Sequence, residues 1–384
     1  MPTKGSPVQA TVDVVQKIIH LAGSPHPFLS VYLPTDPAQA TTEGNRLRLA
    51  ALLDRASQDL ADPSWEEPFR VERRTVEAYM RTLRPGGKGL AILSSAPAGE
   101  WQALWLPDAV PEHVRFGPGA HVLPLLDMLD EWEPVGLALV SKDTARLMVL
   151  EAGQIQEVRR VESEVPGKHK AGGYAGWEGA RIQRHLLVHA KDHLKRALEE
   201  LEGAHQAHPF RRLFLGGSPE SVGLFKKLLS RELKSRLVGD LSIDLYATNP
   251  EVRAQVLQAA RETERREEQG LVGEIITRAA KEQGAVVGVD PTLWALNRRQ
   301  LHLLVLAGEV SQPGRHCAAC DLLLSEEAVS CPQCGGKARA VDLWEELPRS
   351  ALSRAVRIEV VHGEAASQLW HHDGLGGLLK PKQG

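Results

Sequence analysis

The sequence has few cysteines and lacks any long apolar run. Its 384 residues include 4 cysteines, all between positions 317 and 334. Residues 1–7 lack the apolar stretch of a signal peptide, and no apolar run elsewhere is long enough to span a bilayer. Because every cysteine belongs to one group, we expect a protein of the reducing cytoplasm with no membrane partner.

The common signatures of nucleotide-binding and hydrolytic enzymes are also missing. The sequence has no GxxxxGK[ST] loop and no HExxH pair, and residues 216–220 (GGSPE) differ from the GxSxG pattern. The net charge of −3 excludes a chain that is basic overall, so a nucleic-acid surface has to be local. Ordinary enzyme classes are therefore left without support.

The four cysteines form two CxxC pairs. Cys317 and Cys320 make the first pair, Cys331 and Cys334 the second, with ten residues between the pairs. Two such turns that face each other place four sulfurs around one point, which suits a tetrahedral zinc ion. Four thiolates leave no open position for water, so we predict structural Zn2+. The alternative is two pairs of buried or disulfide-linked cysteines.

Hydrophobic periodicity predicts a multi-domain protein of mixed α/β class. A chain of this length accommodates two to four domains of about 100–200 residues. We place three mixed α/β sections at residues 1–131, 132–248 and 249–384, and a zinc ribbon inserted in the third at residues 314–340.

The second and third sections contain patterns that the structure can test directly. Residues 241–246 are typical of a strand. Asn249 followed by Pro250 is typical of a helix start, with Asn249 as the N-cap, and the helix is predicted to continue to residue 283. Its middle, residues 261–269, is almost entirely charged and is therefore predicted to be solvated.

A glycine-rich loop leads into the most basic part of the chain. Residues 168–196 contain seven cations and two acids. Glycine lets the backbone approach a ligand closely, and lysine neutralises phosphates. The residues predicted to contact RNA are Lys168, His169, Lys170, Gly172, Gly173, Tyr174, Arg181 and Arg184. From the pattern alone, a mobile loop beside a solvated helix face is the alternative.

Three histidines share one face of the helix that follows the loop. His185, His189 and His193 are spaced four residues apart. A metal-binding stripe is one interpretation, and a polar or RNA-contacting face is the other.

Four segments resemble one family of translation factors. Residues 164–174 (EVPGKHKAGGY) are similar to the release-factor stretch that ends in GGQ, and Arg184-His185 to the basic helix that follows it. Residues 288–296 (GVDPTLWAL) resemble the GxxxTLxAL segment of the family's third domain, and residues 374–379 (GLGGLL) its glycine-rich terminal strand. The chain thus resembles the archaeal and eukaryotic class-I peptide release factors and Pelota, within the bacterial group that includes the ribosome hibernation factor Balon.

The sequence departs from the release-factor pattern in two places. Tyr174 replaces the glutamine that helps water attack the ester in that family, although Gly172 and Gly173 are kept. A phenol with a pKa of about 10 is a poor substitute for an amide that orients water. Residues 43–48 (EGNRLR) keep only an asparagine and basic residues of the NIKS-type stop-codon motif.

The resemblance implies a fold and a function. It implies three domains of release-factor type: one toward the decoding centre, one whose loop points to the peptidyl-transferase centre, and one that meets a translational GTPase such as elongation factor Tu. It implies a non-catalytic factor that occupies the ribosomal A site and contacts ribosomal RNA, in hibernation or in the handling of stalled ribosomes. Two alternatives stay open: a release factor or peptidyl-tRNA hydrolase with an altered loop, and a free-standing RNA or protein adaptor.

Overall fold

Four β-sheets organise the part of the chain that the structure describes. This computed structural model describes residues 5–38, 41–58, 60, 63–84, 86–163, 177–308 and 311–381, with the backbone alone for residues 130, 131 and 177–186. The chain forms two units: Met1–Asp130 with Arg265–Gly384, and Glu131–Glu264. The predicted α/β class is confirmed. The division into three domains stays a prediction.

The N-terminal part of the first unit is a five-stranded sheet with helices packed on it. Its elements in chain order are β1 (Val8–Gln9), α1 (Val12–Ile18), β2 (Pro27–Pro34), α2 (Thr42–Gln58), α3 (Glu66–Thr82), β3 (Gly89–Ser95), β4 (Glu100–Leu106), β5 (His113–Pro118) and α4 (Leu123–Glu131). Short 3-10 turns cover Ile19–Gly23 and Pro63–Trp65. The strand order is β1-β4-β3-β2-β5.

Alternating side chains of the interior strand β2 hold this sheet to α2 and α3. Leu29, Val31 and Leu33 pack in one cluster with Leu53 of α2 and Val76 of α3, and all five are fully buried. This period of two matches the pleat of a strand with one face turned to a helical layer.

The second unit contains a five-stranded sheet with helices on both faces. Its elements in chain order are β6 (Val135–Val140), β7 (Thr144–Glu151), β8 (Gln154–Glu162), α5 (Trp177–Ala207), β9 (Arg212–Gly217), α6 (Pro219–Leu228), α7 (Arg231–Arg236), β10 (Leu237–Asp240) and the first part of α8 (Asn249–Ala280). The strand order is β10-β9-β6-β7-β8, and the three meander strands β6, β7 and β8 pair antiparallel.

Two separate apolar clusters cover the faces of this sheet. One face packs on α5 through residues such as Leu194 and Leu201. The other face packs on the start of α8 through Val252 and Val256, both fully buried. Helices therefore cover both faces of this sheet, the usual arrangement of a strand set with parallel pairs.

Two predictions in this unit are wrong. Residues 241–246 are not a strand. The N–H of Tyr246 donates to the side chain of Asp244 at 2.7 Å, which makes a local turn. The cap of α8 is Thr248 rather than Asn249, because Thr248 Oγ1 and its N–H both donate to the Glu251 carboxylate at 2.8 Å, the Glu half of a capping box.

The C-terminal part of the first unit is a four-stranded sheet with an inserted three-stranded ribbon. Its elements in chain order are β11 (Ala285–Val287), α9 (Val289–Asn297), β12 (Leu301–Ala307), β13 (Pro313–Cys317), β14 (Leu322–Ser325), β15 (Arg339–Asp342), α10 (Leu343–Ser353), β16 (Arg357–Val361), α11 (Gly363–Trp370) and β17 (Leu375–Leu379). The larger sheet has the order β11-β17-β12-β16 and the ribbon the order β14-β13-β15.

The motif at residues 288–296 is explained by packing at the start of α9. Gly288 has φ +89°, a conformation that favours glycine. Thr292, Ala295 and Leu296 are fully buried, whereas Trp294 is 51% exposed. The segment therefore fixes α9 on the sheet, and Trp294 is its outward-facing position.

Candidate functional site

The four cysteine sulfurs meet at the tip of the ribbon. The Sγ atoms of Cys317, Cys320, Cys331 and Cys334 all lie within 4.8 Å of one another. The Cys317 and Cys334 sulfurs are 3.6 Å apart, close to the ~3.8 Å edge of a tetrahedron whose Zn–S bonds are about 2.3 Å long. The predicted grouping is confirmed, and the cluster can hold a metal ion.

The two cysteine turns have the same backbone geometry. Asp321 follows the first pair, and its N–H donates to the Cys317 carbonyl at 2.8 Å. Gly335 follows the second pair, and its N–H donates to the Cys331 carbonyl at 2.9 Å. Both residues have positive φ, +53° for Asp321 and +69° for Gly335. Glycine adopts this conformation freely, whereas aspartate needs compensating contacts.

The electrostatics of the thiols favour a cation at their centre. Backbone N–H groups of Cys334 and Gln333 lower the pKa of the Cys331 thiol to about 7. The Cys334 thiol beside Cys320 raises the pKa of Cys320 to about 12. Four thiolates this close repel one another, so complete ionisation requires a positive ion between them.

Asp321 anchors the first cysteine turn to α10. Its Oδ1 accepts hydrogen bonds from Arg349 Nη2 at 2.7 Å and from His316 Nε2 at 2.9 Å. Arg354 donates to the Asp321 carbonyl at 2.7 Å. The sequence analysis missed this residue. Its signal was positional, because Asp321 occupies the place after a CxxC pair that Gly335 occupies in the second turn.

Glu346 on α10 extends these ion pairs into the N-terminal sheet. The carboxylate is 3% exposed and accepts from Arg115 Nη2 at 3.0 Å, Arg339 Nη2 at 3.1 Å and Arg349 Nε at 3.1 Å. Arg115 lies on β5, and its Nε also pairs with Glu345 at 3.1 Å. The cysteine cluster is therefore connected to the N-terminal part of the first unit through a series of ion pairs.

A second polar contact joins the same two parts of the chain. His362 Nε2 pairs with the carboxylate of Asp127 on α4, and the His362 backbone N–H donates to Glu268 Oε2 at 2.9 Å. The hydrogen bond to Asp127 raises the pKa of His362 above its usual value. Glu268, in the charged middle of α8, is only 4% exposed, so the prediction of a solvated stretch is wrong at this position.

The ribbon also docks on α9 through an edge strand. Asn297 Nδ2 donates to the Leu323 carbonyl at 2.7 Å, and the Leu323 N–H donates to Asn297 Oδ1 at 3.2 Å. Because β14 is at the edge of the ribbon sheet, these two backbone groups have no neighbouring strand on that side. A groove of about 600 Å3 with Trp294 in its wall runs beside this contact.

A compact hydrogen-bond cluster closes the end of β8 in the second unit. Ser163 Oγ lies 2.6 Å from His193 Nδ1 and accepts from Arg196 Nη2, also at 2.6 Å. Arginine can only donate, which leaves the Ser163 hydroxyl proton available to His193. Burial lowers the pKa of His193, whose side chain is fully buried. His193 is thus an interior hydrogen-bonding residue, and the metal-stripe interpretation is wrong at this position.

The structure describes only some of the residues that are predicted to contact RNA. Arg181 and Arg184 lie on α5, where the backbone alone is described. The other predicted residues lie outside the described residues: Lys168, His169, Lys170, Gly172, Gly173 and Tyr174. Their roles stay predictions.

Comparison with known proteins shows a similarity to release factors. Residues 121–265 match the model of bacterial archaeo-eukaryotic release factor family 10. Peptide chain release factor subunit 1 of Methanocaldococcus jannaschii is 24% identical over 353 residues, which cover 80% of this chain and 83% of that protein. The chain is a relative of the archaeal peptide release factors. The corresponding subunit of Pyrococcus abyssi is 26% identical over 289 residues, or 67% of this chain and 69% of that protein.

Solved structures are also similar to this release-factor relative. One of them is a model of ribosome-bound archaeal Pelota and ABCE1. The match covers 97% of this chain and 95% of that chain, with 11% identity and a TM-score of 0.41. Among the described residues of the release-factor relative, every helix is too short or too polar to cross a membrane.

Proposed function

We propose that this protein is a ribosome-binding translation factor that occupies the A site without hydrolysing peptidyl-tRNA. The sequence similarity to archaeal release factors supports this proposal, since a factor of that kind would enter this part of the ribosome. Ribosome hibernation is the proposed purpose, with the handling of stalled ribosomes as its closest variant. The proposal places the protein in the cytoplasm.

The residue at position 174 carries the proposal. Gly172 and Gly173 keep the backbone freedom of the release-factor tripeptide, but Tyr174 has a phenol where an amide would orient water. A loop with two glycines and flanking lysines can still approach ribosomal RNA, since neither feature depends on residue 174.

The contacts of residues 43–48, where the NIKS-type motif is not kept, support a factor that does not read stop codons. Arg46 Nη2 donates to the Arg81 carbonyl at 2.8 Å, and its Nε donates to the Met80 carbonyl at 3.2 Å. These carbonyls are at the end of α3, so Arg46 satisfies a helix C-terminus. Arg48 Nε pairs with Glu112 at 3.4 Å. Both guanidinium groups are engaged within the N-terminal part of the fold.

The metal and the partners complete the proposal. We assign Zn2+ to the cysteine cluster because a closed set of four thiolates suits zinc and excludes a catalytic water. Ribosomal RNA is the proposed binding partner of Lys168, His169, Lys170, Tyr174, Arg181 and Arg184. A translational GTPase such as elongation factor Tu is the proposed delivery partner; yeast Dom34, a structure similar to this chain, is described as interacting with Hbs1.

Purified ribosomes that carry peptidyl-tRNA in the P site test the proposal. We expect the wild-type protein to sediment with ribosomes, to compete with A-site tRNA and to free no peptide above the buffer level. Tyr174→Gln restores the glutamine of the release-factor tripeptide, and it is the matched variant in the measurement of peptide release. Peptide release by the wild type that is lost in Gly173→Ala would contradict the proposal and establish the release-factor alternative. Absence of the protein from ribosomal fractions of both growing and starved cells would exclude a role on the ribosome.

A further inference from the structure

A second group of cations lies on α6 and α7 of the second unit, separate from the glycine-rich loop. Residues 226–236 contain five cations and a single acid, in a chain whose net charge is −3. Lys227, Arg231 and Lys234 are exposed. The sequence analysis did not single out this segment, because its charges are spread over two short helices and the turn between them.

The backbone under these cations is held firmly. Phe225, Leu229 and Leu233 are between 0 and 3% exposed and belong to the apolar cluster that packs on the sheet. Lys227, Arg231 and Lys234 alternate with these buried positions along the chain and are exposed. The hydroxyls of Ser218 and Ser230 accept from backbone N–H groups at the starts of the two helices. The exposed cations are therefore presented on a fixed surface.

The acidic groups nearby are already engaged. Glu232 pairs with His205 at 3.3 Å, and Asp240 pairs with Lys226 at 2.7 Å. Within the described ranges, no carboxylate lies at ion-pair distance from Lys227, Arg231 or Lys234. These three cations keep their full charge toward solvent.

Helix stability explains only some of these cations. A cation in the last turn of a helix interacts favourably with the helix dipole, which accounts for Lys227 and Lys234. Arg231 is the first residue of α7, where the same dipole disfavours a positive charge. The helix dipole therefore does not account for Arg231, whose side chain is exposed.

We infer that Lys227, Arg231 and Lys234 form a second RNA-binding surface, which contacts phosphates of the RNA backbone. The segment exposes no aromatic side chain, so base stacking has no platform and the binding should be independent of RNA sequence. The inference rests on the proposed function, since it adds a separate RNA contact to the one assigned to the loop and α5.

Salt-dependent binding of the full-length protein to purified ribosomes and to protein-free ribosomal RNA tests this inference. The test variant is K227Q/R231Q/K234Q, and K226Q is the matched control because Lys226 is already paired with Asp240. Each lost phosphate contact reduces the slope of log K against log[salt] by about 0.7–0.9, so we expect the triple variant to lose about 2–3 units of slope on both probes. We expect K226Q to keep the wild-type slope.

The outcomes separate this inference from the proposed function. A triple variant that melts like the wild type but keeps its slope on ribosomal RNA overturns the inference. A slope that falls on ribosomes alone also overturns it, because the surface then contacts a ribosomal protein. If the wild type fails to bind ribosomes but the slope on ribosomal RNA falls as expected, the proposed function is wrong and the inference stands.

Discussion

Arg115 and Glu346 form a buried ion pair across 231 positions of the chain, with 3.0 Å between Arg115 Nη2 and Glu346 Oε1. Arg115 belongs to the N-terminal sheet and Glu346 to the helix that follows the ribbon. Arg349, which also binds Glu346, binds Asp321 next to the second cysteine of the first pair. The state of the cysteine cluster is thus linked to the docking of the N-terminal sheet by three consecutive ion pairs.

We expect Glu346→Gln to destabilise the first unit by about 3 kcal/mol, because it leaves the guanidinium groups of Arg115, Arg339 and Arg349 facing a neutral amide in a buried site. Glu67→Gln removes an exposed partner of Arg70 and should cost less than about 1 kcal/mol. Urea denaturation compares the two variants. Equal midpoints for both would show that the buried pairs contribute no more than a surface pair.

Removal of the metal should unfold the ribbon tip. We expect the purified protein to carry one zinc ion, and its four thiols to react with a thiol reagent only after a strong chelator is added. Cys331→Ser should lose the metal, whereas Ser330→Ala should retain it, because the exposed Ser330 side chain is next to the ligand but outside the cluster. Metal content is measured by atomic emission. Rapid reaction of all four thiols in the untreated protein would argue against a bound ion.

The pair formed by His362 and Asp127 should make stability fall at alkaline pH. The folded pKa of His362 is raised above its ordinary value of 6.5. The pair therefore makes its full contribution to the free energy of unfolding below pH 6.5, and this contribution is lost as pH rises through the folded pKa of His362. Asp127→Asn removes the carboxylate with little change in shape. The difference in unfolding free energy between wild type and this variant should shrink from pH 6 to pH 9, and a constant difference would contradict the assignment.

Asn297 should control the exposure of the ribbon edge. Asn297→Ala removes the partners of both the N–H and the carbonyl of Leu323, and we expect a loss of about 1–3 kcal/mol. Asn297→Asp keeps an acceptor for the N–H but has no donor for the carbonyl, so it should be intermediate. Hydrogen exchange at the Leu323 amide reports the contact directly. Unchanged exchange in the alanine variant would mean that this hydrogen bond does not protect the edge.

Short-range spacing made the cysteine cluster predictable, and long-range contacts made its surroundings unpredictable. Each CxxC turn brings its own two sulfurs together through local geometry, and the short spacing between the pairs predicts that the two turns meet. Asp321 and Arg349 are 28 positions apart, and no local pattern marks arginine on α10 as the partner of an aspartate in the ribbon. The same holds for Arg115 and Glu346.

The wrong predictions also have tertiary causes. Residues 241–246 contain β-forming side chains, but the Leu245 carbonyl accepts a hydrogen bond from Arg146 Nη1 at 2.8 Å, so this acceptor is taken by a side chain instead of a neighbouring strand. Helical spacing places His193 on one stripe with His189, but only the packing of α5 against the sheet reveals that His193 is interior. Periodicity shows which residues share one face of a helix, but it does not show what that face packs against.

The ribbon is inserted between β12 and β16, which are hydrogen-bonded parallel neighbours in the larger sheet. A parallel pair cannot be closed by a tight turn, so the chain has to leave the sheet and return over a long connection in any case. A segment inserted in that connection interrupts no pair of hydrogen-bonded strands in the sheet. Gain, loss or replacement of the ribbon during evolution is therefore compatible with an unchanged sheet, and descendants of one ancestor can differ here while sharing the same C-terminal scaffold.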